Sequence, residues 1–264
     1  MRRVRLLALA IVALALAATA AAGATPPAAR WAMRLALVVA VPLAAGALAG
    51  LWLPRSPRRL GASAKVLGTA RYHAVLVLAL LADLAPIGIG YLLGWTTFTY
   101  GDQALEARKF VVVPLALPFA IAAATLGSEW ALRARLWEVG SRAGRPREAA
   151  YLSMLGGVAL ALPAVVPGFV VADRRFVVSA LAVALAREAA SLALFRSGGL
   201  LVAGAYRGTL AALEGFALAD WYSYYFPMAN YVSSVPAFYA LRLAGPVAAV
   251  ALILALVGRR RETP

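Results

Sequence analysis

Glu129 and Arg133 stand four residues apart at the end of a long apolar run, a spacing that puts an acid and a base on one helical face as an ion pair. Glu188, seven residues before the end of one later apolar segment, and Arg207, eight residues into the next, lie at matching depth, roughly 10–12 Å from the connection between them, and so can pair. Glu214 follows Arg207 by seven residues, two helical turns along the same face. Asp83, Arg187 and Arg242 are further ionisable groups within apolar runs. A charge at the centre of a bilayer costs roughly 3 kcal/mol on insertion scales, so such groups pair with one another and are candidate functional residues by default. A carboxylate within reach of a bound water can act as a general base, and a guanidinium can hold a carbonyl oxygen or oxyanion. The same pairs can equally serve only to staple helices together.

The elements that position these residues follow from composition. The chain has 264 residues, 63% hydrophobic and 14% charged, whereas soluble domains average about 45–50% apolar and about 25% charged. The sequence therefore reads as an all-α, polytopic integral membrane bundle forming a single transmembrane domain over 1–264. The net charge of +15 does not point to nucleic acid, because the 26 basic residues sit mainly at the ends of apolar segments rather than on one face. With no Cys and a single His, His73, there is no thiolate or histidine spacing for a metal, and no cofactor is expected.

Eight runs approach the roughly 20 residues needed to span about 30 Å of hydrocarbon: 6–22, 32–53, 74–95, 110–128, 149–172, 176–195, 199–219 and 235–257. The segment 1–24 reads as either a first helix or a signal peptide, since basic residues precede an Ala/Leu run and a small-residue end; its length favours the uncleaved helix. Alternate connections differ sharply in basic charge. One set holds 17 Lys and Arg, among them Arg2, Arg3, Arg5, five residues over 55–71, five over 133–147, Arg196 and Arg259 to Arg261; the other holds five. The positive-inside rule then puts both termini in the cytoplasm and the protein in the plasma membrane. The stretch 220–234 is dense in aromatics and lacks Lys and Arg, as an aromatic belt on the outer face would be. Gly46 and Gly50, four apart, suit close helix packing.

Between 127 and 163 the sequence reads Ser128-Glu129-Trp130-Ala131-Leu132-Arg133, then an Arg-rich connection, then an apolar segment carrying Pro163. This resembles the CAAX-protease and bacteriocin-processing (CPBP, or Abi) family of intramembrane endopeptidases, whose motifs are Glu-Glu-x-x-x-Arg, aromatic-x-x-x-His and a later His-x-x-x-Asn or Asp. The resemblance covers roughly 109–219. It matches the second Glu to Glu129 and the Arg to Arg133, and puts Ser128 at the first Glu. With Pro163 placed on the family's proline, Gly157 stands at the aromatic and Ala161 at the first His. A Ser197-Gly198 turn leads to Arg207 near the second His and Ala211 near the Asn.

Family proteolysis uses a Glu and a His to position and deprotonate a water, and this chain lacks imidazole at both positions. The resemblance thus implies a relative with an impaired catalytic centre, Glu129 and Arg133 being what remains of the motif. Ser128, Glu188, Arg207 and Glu214 are its substrate-binding candidates, and a cytoplasm-facing cavity for a hydrophobic or lipid-modified peptide is expected between the fourth and seventh spans, lined by Glu129, Arg133, Glu188 and Arg207. Residual peptidase activity would run through Glu129 as base, Ser128 orienting the water and Arg207 holding the oxyanion. His73, at the end of a span beside a basic connection, reads as an interfacial residue. Two other functions fit the intramembrane charges: a small transporter or channel-like subunit using them as a path, and a scaffold subunit of a membrane complex.

Overall fold

The computed structural model describes residues 1–25, 30–53, 65–95, 112–165, 174–213 and 236–257, and the regular elements among them are all helical. They are α1 (Arg2–Ala24), α2 (Arg30–Trp52), α3 (Ala70–Leu92), α4 (Val112–Glu129), a π-helical segment (Trp130–Trp137), α5 (Glu138–Arg142), α6 (Pro146–Val165), α7 (Arg174–Gly198), α8 (Leu200–Leu213) and α9 (Pro236–Val257). Each expected apolar run thus has a helix on it. Glu214 and the aromatic stretch 220–234 lie outside the described residues. Gly94, Gly144 and Gly199 have φ of 68°, 78° and 87° and stand just past the ends of α3, α5 and α7, where a left-handed residue stops a helix at least cost.

Four helices among the described residues are long and apolar enough to cross a membrane: Arg2–Ala21, Ala70–Leu92, Val178–Gly198 and Pro236–Val257. Helices α1, α2, α4, α8, α7 and α6 follow one another round a closed circuit of contacts, while α3 and α9 pack together against α7 and α8. The π segment continues α4 and touches α1, α2, α6 and α8. Its residues Ala131 to Leu136 are buried without a break, as a helix enclosed on all sides must be.

Here the structure departs from the sequence reading. The run expected to end at 128 continues as helix to Arg142, and only a turn at 143–145 separates it from α6. Arg133 and Arg135, counted with the basic connection, are instead 0% and 2% exposed. Polar partners inside the bundle make this possible, because a buried charge is tolerated when paired and hydrogen-bonded. Gly46 does serve close packing: a Cβ there would come within 3.0 Å of the Gly127 carbonyl on α4. Gly50, by contrast, faces open space.

Two apolar cores flank the π segment. Val4, Leu7 and Ile11 of α1 pack with Ala45 and Ala49 of α2 and with Leu132 and Leu136. On the other side Leu76, Leu194, Phe195, Tyr206 and Ile253 join α3, α7, α8 and α9. The segment 1–24 is therefore an integral wall of the bundle.

The ends carrying most of the basic residues are gathered at one end of the bundle by direct contacts. Arg5 of α1 is 2.5 Å from Glu148 of α6, Arg135 donates to the Leu53 carbonyl at the end of α2 at 3.2 Å, and Arg71 at the start of α3 donates to the Leu256 carbonyl of α9. Arg196 at the end of α7 lies over the Trp137 ring.

Glu148 precedes the apolar part of α6. The hydrogen bond from Arg5 holds its carboxyl below the usual range, with Arg145 at 3.4 Å adding to the effect. A lowered folded-state pKa stabilises the fold above the unfolded value near 4.5, and that contribution fades as pH falls through the lowered one. Arg5 is exposed and Glu148 half-buried, so the effect is modest and salt-sensitive. Glu148→Gln should flatten the acid limb of a thermal-midpoint profile below about pH 5 and remove its salt dependence there.

Candidate functional site

The π segment exists to be wide. In such a turn the N–H of one residue reaches the carbonyl five back, and the Glu138 amide accordingly bonds the Arg133 carbonyl. Side chains five apart come into line, so the Arg135 guanidinium sits 4.6 Å from the centre of the Trp130 ring, a cation–π contact. In an α-helix the same two residues would point about 140° apart. Arg135 and Arg133, two residues apart and so on nearly opposite faces, meet different neighbours: Arg135 meets α2, and Arg133 meets α6 and α7.

Arg133 is the hub. It lies 3.3 Å from the Glu129 carboxylate one turn back, as the spacing predicts, but its closest acidic partner is Glu188 of α7. Its Nη2 also donates to the Glu188 carbonyl at 3.1 Å, its Nη1 to Ser153 Oγ of α6, and its Nε to Ser191 Oγ at 3.4 Å. The hydroxyls relay these bonds onward: Ser191 donates to Glu129 Oε2 at 2.6 Å and Ser153 to the Leu132 carbonyl at 2.9 Å. Ser153 and Ser191 carry no motif and escaped the sequence reading. Their serine-on-an-apolar-face pattern was the available signal, but only a known helix pairing gives it meaning.

Arg207 of α8 closes the cluster. Its Nη2 is 2.7 Å from Glu188 Oε1 and its Nε 3.7 Å from Glu129 Oε1, so the expected Glu188–Arg207 pair forms. Glu188 lies ten residues before the end of α7 and Arg207 seven after the start of α8, about 15 and 10 Å from the turn joining them. The alignment of these contacts is poor for hydrogen bonding. Glu129 Oε1, Glu188 Oε1 and Arg207 Nε are buried atoms with no hydrogen-bond partner, gathered at one spot. Arg207, with 19% of its side chain exposed, is the member that reaches the surface.

The other residues singled out in the sequence behave differently. Gly157 faces Glu188, and a Cβ on it would overlap the carboxylate. The missing side chain is what lets Glu188 reach Arg133 and Arg207. Ser128 is buried, but its hydroxyl donates to the Thr125 carbonyl of its own helix at 2.7 Å and has no proton left for the cluster. Pro163 lies within α6, and His73 is exposed at the start of α3.

A second buried network adjoins the first through neighbouring residues. Arg187 donates from Nε to both Asp83 oxygens at 3.0 Å, and Tyr206 Oη donates to Asp83 Oδ2 at 2.9 Å. Asp83 and Arg187 stood out in the sequence as intramembrane charges, but nothing there pairs α3 with α7. Together the two networks oppose three carboxylates to three guanidinium groups, so the buried charge is balanced.

What this arrangement can do chemically is limited by its partners. Arg side chains do not release protons, and both glutamates are engaged by guanidinium groups. The unbonded edge offers two acceptors and one donor, complementary to a small neutral polar group. No family model matches the chain, and neither a curated protein nor a solved structure matches it.

Removing Arg133 would leave one excess buried carboxylate, with Arg207 shared between Glu129 and Glu188. Arg133→Met should cost about 3–5 kcal/mol, read as a lowered thermal midpoint in detergent by Trp fluorescence. Adding Glu129→Gln should recover part of the loss, because charge balance returns; a double variant no better than the single would refute that account. Gly157→Val should displace Glu188 and lower the midpoint comparably.

Proposed function

We propose that this chain is an integral membrane protein of about eight spans, with both termini on the cytoplasmic side of the plasma membrane. In this reading it is similar to the CPBP intramembrane endopeptidases but non-hydrolytic, and it binds a hydrophobic or lipid-modified peptide between α4, α7 and α8 from the cytoplasmic end. The observation that carries it is the convergence of Glu129, Glu188 and Arg207 with one unbonded polar atom each. A peptide group has an N–H for a carboxylate and a C=O for the guanidinium, and it is neutral, so it adds no charge to a buried set already balanced. The adjacency of Glu129 and Arg207 inside the bundle supports this reading. The absence of imidazole from the cluster supports binding without cutting. The gathering of the basic ends at one side supports the cytoplasmic placement of that side.

The Asp83–Arg187–Tyr206 network, which extends the buried polar groups sideways to α3 at about the same level, favours a second reading in which the charges form a translocation path. One experiment separates the readings. Purified protein in nanodiscs is incubated with a panel of lipidated peptides bearing a photo-crosslinker. Peptide should crosslink to α7 and α8 with no new termini formed. Arg207→Ala should weaken binding about tenfold or more, the loss of a hydrogen bond to a charged group. Cleavage abolished by Glu129→Ala would overturn the non-hydrolytic reading, and solute flux without peptide binding would favour transport.

A further inference from the structure

Helices α1 and α6 pack along their length, and the Arg5–Glu148 ion pair joins them at the basic end. From that pair an exposed stripe descends each helix. On α1, Arg2, Arg5, Leu9 and Leu16 are all exposed and follow one another at 3, 7 and 14 residues from the first, a single helical face. On α6, Arg147, Tyr151 and Leu155 are exposed at steps of four. Leu9 and Tyr151 are each 64% exposed, which makes the two stripes substantial apolar surfaces. Each is therefore headed by arginine and apolar below.

The charges at the head are not evenly matched. Glu148 is shared by Arg5 and Arg145, and Glu138 is held by Arg142. Arg2 and Arg147 have no ion-pair partner among the described residues. Two uncompensated guanidinium groups thus flank the Arg5–Glu148 pair, directly above two apolar stripes. A guanidinium binds phosphate through paired N–H bonds, and the apolar faces below it suit acyl chains.

We infer that the α1–α6 seam binds an anionic phospholipid, its phosphate held between Arg2 and Arg147 and its chains lying along Leu9, Leu16, Tyr151 and Leu155. The inference rests on the bundle crossing a bilayer and is independent of peptide binding, which uses the opposite side of the π segment. An anionic lipid of the cytoplasmic leaflet is attracted by about 1 kcal/mol per basic residue near the surface. A zwitterionic lipid carries no net charge to be attracted, and a nucleic acid would leave the apolar stripes uncovered.

The test is lipid retention by the full chain in detergent, titrated with phosphatidylglycerol or phosphatidylcholine and counted by native mass spectrometry. Phosphatidylglycerol should be retained preferentially. Arg2→Ala with Arg147→Ala should weaken it about 30-fold, while Arg71→Ala with Arg196→Ala, an equal loss of charge elsewhere at the same end, should change it less than about threefold. Circular dichroism checks folding; should the double variant misfold, Arg147→Ala alone should weaken binding about fivefold. Equal weakening by both double variants would overturn the site in favour of diffuse attraction. So would an absence of lipid preference, or displacement of the lipid by free inorganic phosphate. Lipidated-peptide binding should persist in Arg2→Ala/Arg147→Ala, so the two proposals fail separately.

Discussion

The structure depends on one buried guanidinium. Arg133 is fully enclosed and reaches α4 through Glu129, α6 through Ser153, and α7 through Glu188 and Ser191. A cation in that position is tolerated only with its hydrogen bonds filled and its charge opposed, so each neighbouring helix must hold its place. This sets the register of three helices by chemistry, in a bundle whose apolar surfaces, rich in Ala and Leu, would otherwise slide with little penalty. Between apolar helices in lipid there is little hydrophobic driving force, which leaves polar pairing and close packing to specify the arrangement.

The π segment is the backbone's side of the same bargain. A regular α-helix carried on from Glu129 would rotate Arg135 away from Trp130. Widening the turn keeps Arg135 over that ring while it donates to the end of α2. Gly157 completes the arrangement from across the interface by leaving the volume that the Glu188 carboxylate fills. The small residue and the acid that fills its space belong together.

The two proposed binding sites lie on different faces of the molecule. The face of the cluster toward Arg207 holds the unbonded polar atoms and the route to the surface, whereas the face toward α1 and α6 is dry and built from Leu132, Leu136, Leu7 and Ile11. Peptide recognition is proposed on the first and lipid on the outer side of the second. The Asp83–Arg187–Tyr206 network, with both carboxylate oxygens of Asp83 occupied, ties α3 to α7 and α8 and has no open edge of its own.

Much of this was legible in the residues themselves. Apolar run lengths determined the helices, because a chain this apolar must satisfy its backbone polar groups internally. Spacing alone made Glu129 and Arg133 partners, and matched depth on consecutive segments did the same for Glu188 and Arg207. The sequence could not reveal that the basic stretch after Ser128 is helical and buried, because Arg133 and Arg135 look like any interfacial arginines until their partners are known. Nor could it choose Glu188 as the closer partner of Arg133, recruit Ser153 and Ser191, or join Asp83 to Arg187. Those contacts cross between helices far apart in the chain, and the period of a helix says which face is apolar without saying which helix it meets. Tertiary packing alone decided that, by bringing three acids and three bases to positions where none could be buried without the others.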